Sequence, residues 1–274
     1  MTLQKVGGFE IDVSDSGVNA PGRPLVAVHS SGLSRRQWGR LAAAMSGERR
    51  VVCANLLGYG ESGPFVDGAF TWEDDARLIG ALLGTFEMPV HLVGHSYGGL
   101  VALRVAMNHP ERVRSLALFE PVAFAVLRAP DDAEALADLE RARRAERDRD
   151  ATGTGGDEAW LETFVDYWSG PGAWRALPAP AREGFLAVGR KVFAEVTSLT
   201  GDRTPRGVFA AVAVPTLLLS GGRSTLAARH ASAILAEVLP DATLDVLPDA
   251  GHMGPLTHAD AVNAKLAAFV AKVG

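Results

Sequence analysis

Through its first 120 residues the chain alternates short apolar runs with stretches of helical periodicity, the pattern of a mostly parallel sheet flanked by helices. Phe9-Glu10-Ile11-Asp12-Val13 switches between apolar and polar and stops at Ser14-Asp15-Ser16-Gly17, which predicts a peripheral antiparallel strand. Residues 25–28 and 51–54 are unbroken apolar runs and read as buried strands, with a helix over about 36–45 between them. A second helix is predicted over 71–86. Its Leu78, Ile79, Leu82, Leu83 and Phe86 share one face, and Thr71 with Asp74 has the spacing of a capping box. A strand at 89–93, a helical stretch at 100–107 ended by Pro110, and a strand at 113–119 complete this part.

The alternation then breaks between Val122 and Gly207. This predicts an inserted helical lobe over 122–207, dividing one catalytic core into residues 1–121 and 208–274. The lobe holds a charged helix over 131–149, whose stretch from Asp138 to Arg149 reads as a solvated face. A Gly-rich connector, Thr152-Gly153-Thr154-Gly155-Gly156, follows. Trp160, Phe164, Tyr167, Trp168 and Trp174 then lie on a helix and its exit, either as the roof of a pocket or as ordinary lobe core. Strand and helix alternate again through a strand at 215–220, a helix over 226–239, a strand at 243–247 and a last helix over 258–273.

With 27 basic against 32 acidic residues the net charge is −5, and no basic block suits a phosphate backbone or an anionic membrane surface. Neither nucleic acid nor membrane is an expected partner. Cys53 is the single cysteine, which excludes an internal disulfide, and its apolar surroundings predict a buried thiol. The amino terminus lacks a signal-peptide core and no run approaches the ~18 apolar residues of a membrane span. A cytoplasmic protein, monomeric or homodimeric, is expected.

The chemistry is concentrated at Gly94-His95-Ser96-Tyr97-Gly98-Gly99, a G-x-S-x-G pattern set between an apolar strand and a helix. In that setting the chain must turn sharply, leaving the Ser96 hydroxyl exposed at the carboxyl end of the sheet, and a Cβ two residues to either side would collide with the neighbouring backbone. A serine needs a base and oxyanion donors to act as a nucleophile. Of seven histidines, His252 is the best placed, in the loop after the final strand. His258, at a helix start, is the decoy, and His95 is expected to pack against the sheet.

These motifs, with Gly58-Tyr59-Gly60-Glu61-Ser62, His29-Ser30-Ser31-Gly32 and Gly251-His252-Met253, resemble the cap-bearing α/β-hydrolase fold enzymes of the esterase, lactonase and haloperoxidase-like type. The resemblance covers nearly the whole chain, with the inserted lobe as cap. It implies an α/β fold and, because position 96 is serine where epoxide hydrolases and haloalkane dehalogenases carry aspartate, acyl transfer. It implies an oxyanion hole from the backbone N–H of Tyr97 and, residue for residue, that of Ser31, although Ser30 stands where the family shows glycine. The family's usual acid follows the penultimate strand as Gly-x-x-Asp. Here the chain reads Gly221-Gly222-Arg223-Ser224, and Ser224 carries no charge. Some members place the acid one strand earlier, where this chain has Glu120; a carboxylate at a buried strand tip is costly unless paired. Glu120 is therefore the expected acid, with Asp249 and Asp245 as other candidates. Arg223 is expected to pair with a surface acid.

Ser30, Trp160, Phe164 and Trp168 are expected to face the substrate. The reading is a serine hydrolase for a small or medium carboxylic ester or lactone, with no cofactor or metal implied. A carbon–carbon bond hydrolase or perhydrolase would reuse the same triad, and a slow or inert small-molecule receptor is the reading from another class.

Overall fold

The computed structural model describes residues 2–128, 132–149 and 155–274. Eight strands form one sheet: β1 (Thr2–Val6), β2 (Phe9–Ser16), β3 (Gly22–Val28), β4 (Arg49–Ala54), β5 (Val90–His95), β6 (Val113–Phe119), β7 (Thr216–Gly221) and β8 (Ala242–Leu247). Their order is β1-β2-β4-β3-β5-β6-β7-β8. β2 runs antiparallel to β1 and β4, and the six strands from β4 to β8 are mutually parallel. The outermost strand, β1, is not legible in the sequence because it is largely exposed and has only Val6 buried.

The helices are α1 (Gly39–Met45), α2 (Trp72–Leu83), α3 (Tyr97–Asn108), α4 (Ala133–Arg149), α5 (Glu158–Ser169), α6 (Ala173–Ala176), α7 (Ala179–Gly201), α8 (Leu226–Val238), α9 (Gly254–Thr257) and α10 (Ala259–Val273). Alternate residues of the parallel strands feed opposite cores, as the two-residue period of a strand requires. Leu25, Ala27, Val51, Cys53, Val93 and Leu219 pack against Leu41 and Met45 of α1 and Leu266 and Val270 of α10. Val26, Val28, Val52, Leu92, Leu118 and Leu218 pack against Leu78 of α2, Leu100 and Leu103 of α3 and Leu235 of α8. With both faces covered, these strands read as continuous apolar runs. The Cys53 thiol is fully buried, and burial pushes its pKa up to about 11.

α2 starts at the capping box read from the sequence: Asp74 accepts from the Thr71 backbone N–H at 2.9 Å. It ends at Leu83, before Phe86. Between β6 and β7 lie α4 to α7, with a small core of their own from Trp160, Leu161, Phe164, Val165, Trp174 and Val192. Asp131 and residues 152–154 of the expected helix start and Gly-rich connector lie outside the described residues.

One expectation for α4 is corrected. Ala135, Leu139, Ala142 and Glu146 form a buried stripe at helical spacing, so the charged stretch is not wholly a solvated face. Among the described residues no helix is long and apolar enough to cross a membrane.

Candidate active site

The carboxyl ends of β3, β5, β6 and β8 converge, and the loop after each brings a residue to one point. β5 pairs with β6 so that His95 faces Phe119, which sets Ser96 and Glu120, the next residue on each, side by side at the strand tips. The Ser96 N–H donates to the Phe119 carbonyl at 3.0 Å. Ser96 (φ 54°) and Glu120 (φ 43°) are the only non-glycine residues with positive φ among the described residues. Such backbone is disfavoured for L-residues and is held here by its surroundings. At Gly94 a Cβ would fall 2.5 Å from the Gly98 carbonyl oxygen, and at Gly98 it would fall 2.2 Å from that of His29. Only glycine lets β5 and α3 approach this closely.

His252 bridges the pair. Its Nε2 lies 2.9 Å from the Ser96 hydroxyl and its Nδ1 lies 2.7 Å from Glu120 Oε2. With Nδ1–H donating to the carboxylate, Nε2 is the acceptor for the Ser96 proton. Glu120 is fully buried and accepts from three further donors: Ser220 Oγ at 2.8 Å and the Gly221 N–H at 2.8 Å on Oε1, and Ser224 Oγ at 2.6 Å on Oε2. Burial alone would raise its pKa. The hydrogen bond and charge of His252, with the Ser224 and Gly221 donors, outweigh burial and hold the carboxyl below its ordinary value of 4.5. The other acid candidates lie elsewhere: Asp249 pairs with Arg223 at 2.5 Å on the surface, and Asp245 pairs with Lys265 at 2.5 Å.

The backbone of the loop after β3 is tied down on both sides of Ser31. The Ser30 N–H donates to Gln37 Oε1 at 3.0 Å and the Gly32 N–H to the Tyr59 hydroxyl at 3.0 Å. The Ser31 N–H has no acceptor among the described residues, and Ser31 lines the same cavities as Ser96. Tyr97, at the first turn of α3, has its N–H among those a helix leaves without an intrahelical partner.

His95 does more than pack. Gln37 Nε2 donates to His95 Nδ1 at 3.0 Å, and His95 Nε2 donates to the His252 carbonyl at 2.8 Å. This relay joins the Ser30 loop to the His252 loop, and burial holds the His95 pKa well below 6.5, keeping the ring neutral.

A fully buried ionic cluster lies beneath the Ser31 loop. Lys191 of α7 pairs with Asp75 of α2 at 2.8 Å and with Glu195 at 2.7 Å. Tyr59 donates to Glu195 at 3.1 Å while accepting the Gly32 N–H, and Tyr97 donates to Asp75 at 2.9 Å. Burial raises the Glu195 carboxyl above its ordinary value, and Lys191 offsets part of that rise. Sequence reasoning missed this cluster.

Above Ser96 and His252 a cavity of about 360 Å³ is bounded by Ser30, Leu33, Phe164, Trp168, Phe185 and Leu256. Trp168 stacks on the His252 ring with centroids 4.0 Å apart. Ser30, Phe164 and Trp168 line the same cavity as Ser96. Trp160 does not: it lies inside the core of the inserted helices, 1% exposed and stacked on Phe164 at 5.3 Å. Aromatic residues at helical spacing carry the same signal whether they face a pocket or a core.

Comparison with known proteins bears on the family and the fold. The family described as the alpha/beta hydrolase family matches residues 25–265. The dihydrolipoyllysine-residue acetyltransferase component of the acetoin cleaving system of Pseudomonas putida is 30% identical over 259 residues, covering 92% of this chain and 64% of that protein. The chain therefore spans less than two thirds of that relative's length. A thermophilic esterase from Thermogutta terrifontis superposes with a TM-score of 0.77 at 25% identity, covering 100% of this chain and 99% of its own. The enol-lactonase of Burkholderia xenovorans LB400 shares the fold, with a TM-score of 0.78 at 22% identity over 98% of this chain and 100% of its own.

Proposed function

The chain belongs to the alpha/beta hydrolase family, and on that premise we propose that it is a serine hydrolase cleaving a small or medium carboxylic ester or lactone through an acyl-enzyme. The observation that carries this reading is the unbroken line from Ser96 Oγ through His252 to Glu120, with links of 2.9 and 2.7 Å, at the floor of a largely apolar cavity. The whole-chain likeness to an esterase supports ester chemistry.

Ser96 Oγ attacks the substrate carbonyl as His252 Nε2 takes its proton. Glu120 holds the ring by Nδ1–H and stabilises the imidazolium that forms. The N–H groups of Tyr97 and Ser31 receive the developing oxyanion. As the tetrahedral intermediate collapses, Nε2 returns the proton to the leaving alkoxide, and a water activated by the same nitrogen then releases the acid. In a lactone the leaving alkoxide stays tethered to the acyl group, and the chemistry is otherwise the same. At about 360 Å³ the cavity falls in the range that holds small ligands.

The test is pre-steady-state hydrolysis of p-nitrophenyl esters with two- to eight-carbon acyl chains by wild type and Ser96→Ala. Turnover or a burst that vanishes in Ser96→Ala supports the acyl-enzyme. No turnover, with no labelling of Ser96 by a phosphonate, overturns it.

A further inference from the structure

Ser96 and Ser31 also border a second, narrow compartment of about 30 Å³, closed on the α4 side by Leu139, Ala142 and Glu146. That is room for a group the size of one or two water molecules. Glu146 occupies the last place of the buried Ala135, Leu139, Ala142 stripe, where helical spacing calls for an apolar side chain, and it is only 7% exposed.

The other charged and hydroxyl-bearing side chains that the inserted helices bring to this compartment are already engaged. Arg143 pairs with Glu140 at 3.1 Å, Tyr167 donates to Asp138 at 3.1 Å, and Thr200 donates to the Val196 carbonyl at 2.6 Å. Glu146 has no hydrogen-bond or ion-pair partner among the described residues; Arg143 and Arg147 of its own helix act on it only at longer range. Burial accordingly raises its pKa to about 7. A buried carboxylate without a counter-ion is costly, and the open space beside it is shared with the nucleophile.

We propose that Glu146 determines specificity: the narrow compartment receives a short substrate arm ending in a primary ammonium, which Glu146 neutralises, while the apolar remainder lies in the larger cavity. As a statement about substrate, this rests on Ser96 being the nucleophile. A carboxylate arm would meet like charge, and a hydroxyl would leave the carboxylate uncompensated.

Calorimetric binding of butylammonium and of 1-butanol, at about pH 8 where Glu146 is ionised, tests the compartment without turnover. Wild type and Ser96→Ala are expected to bind the ammonium at least about tenfold tighter than the alcohol, and Glu146→Gln is expected to lose that preference. Leu139→Phe, which fills the compartment and leaves Glu146 in place, is expected to lose it too and serves if Glu146→Gln misfolds. In turnover, the kcat/KM ratio of 3-aminopropionyl over butyryl p-nitrophenyl ester should fall about tenfold in Glu146→Gln. Equal binding of the two probes, or a preference that survives Glu146→Gln, overturns the proposal even when ester turnover is intact. Absence of turnover with the ammonium preference intact overturns the hydrolase reading and supports the compartment.

Discussion

Ser224 donates its hydroxyl to Glu120 Oε2 at 2.6 Å, from the loop position after β7 where the family resemblance leads one to look for a carboxylate. The carboxylate of Glu120 stands one strand over, at the tip of β6, and Ser224 is one of its donors. Four donors therefore converge on Glu120, and they decide the sign of its pKa shift against burial.

Removing one of them weakens the ionised carboxylate. Ser224→Ala is expected to lower kcat several-fold and to move the acidic limb of the kcat/KM profile to higher pH, because the Glu120 carboxylate loses a donor that favours its ionised form. A profile of a p-nitrophenyl ester over the acid range checks this. An unmoved limb would separate Ser224 from the pair.

Glu120→Gln preserves shape but removes the charge that orients His252, and it is expected to cost about two or more orders of magnitude in kcat. Adding Ser224→Asp should recover part of that loss by restoring a carboxylate from the neighbouring loop. Near-full activity in Glu120→Gln together with loss in Asp249→Asn would contradict the assignment; the surface pairing of Asp249 with Arg223 argues against that outcome.

Lys191→Met leaves Asp75 and Glu195 facing each other without the cation between them. Breaking a buried pair in this way costs about 3–5 kcal/mol, a fall on the order of 10 °C in melting temperature for a chain of this size. Calorimetry on the purified variant reads it. Lys191→Arg, which keeps the charge in a larger fork, should lose less.

Glu146 and Glu120 tilt the pH dependence of stability in opposite directions. Glu146 is raised from 4.5 to about 7, so its contribution is full below about pH 4.5 and is lost as pH rises through about 7. Glu146→Gln should therefore match wild type near pH 4.5 and exceed it at pH 8, by on the order of 2–3 kcal/mol. Glu120 is lowered; its contribution is full above its ordinary value of 4.5 and is lost as pH falls through its lower folded value. Thermal melts of both Gln variants, taken from pH 8 down to well below pH 4.5, should show differences of opposite slope, that of Glu146→Gln arising above pH 4.5 and that of Glu120→Gln below it.

The parts of the site legible in the sequence are those in which local backbone demands a particular residue. Gly94 and Gly98 must be glycine because a Cβ would strike backbone oxygens, so the elbow around Ser96 can be read from a few consecutive residues. Glu120 comes into view through the family resemblance, with the cost of burying a carboxylate at the end of an apolar run in support. The relay from Ser30 through Gln37 and His95 to His252 leaves no such trace. Its links join residues 7, 58 and 157 positions apart, and none of them belongs to a local pattern. Glu146 was hidden by charge density: only the helical phase shared with Ala135, Leu139 and Ala142 separates it from its exposed neighbours.

Lys191 and Glu195 belong to α7 of the inserted helices, whereas Asp75, Tyr59 and Tyr97 belong to the core. Lifting those helices away would strip Lys191 from Asp75 inside an apolar seam, a separation that no loosely hinged door survives. The roof over Ser96 is bolted down on this side, while Leu256 at its rim borders the cavity and is 42% exposed. A roof anchored through a buried ion pair resists being lifted as one piece.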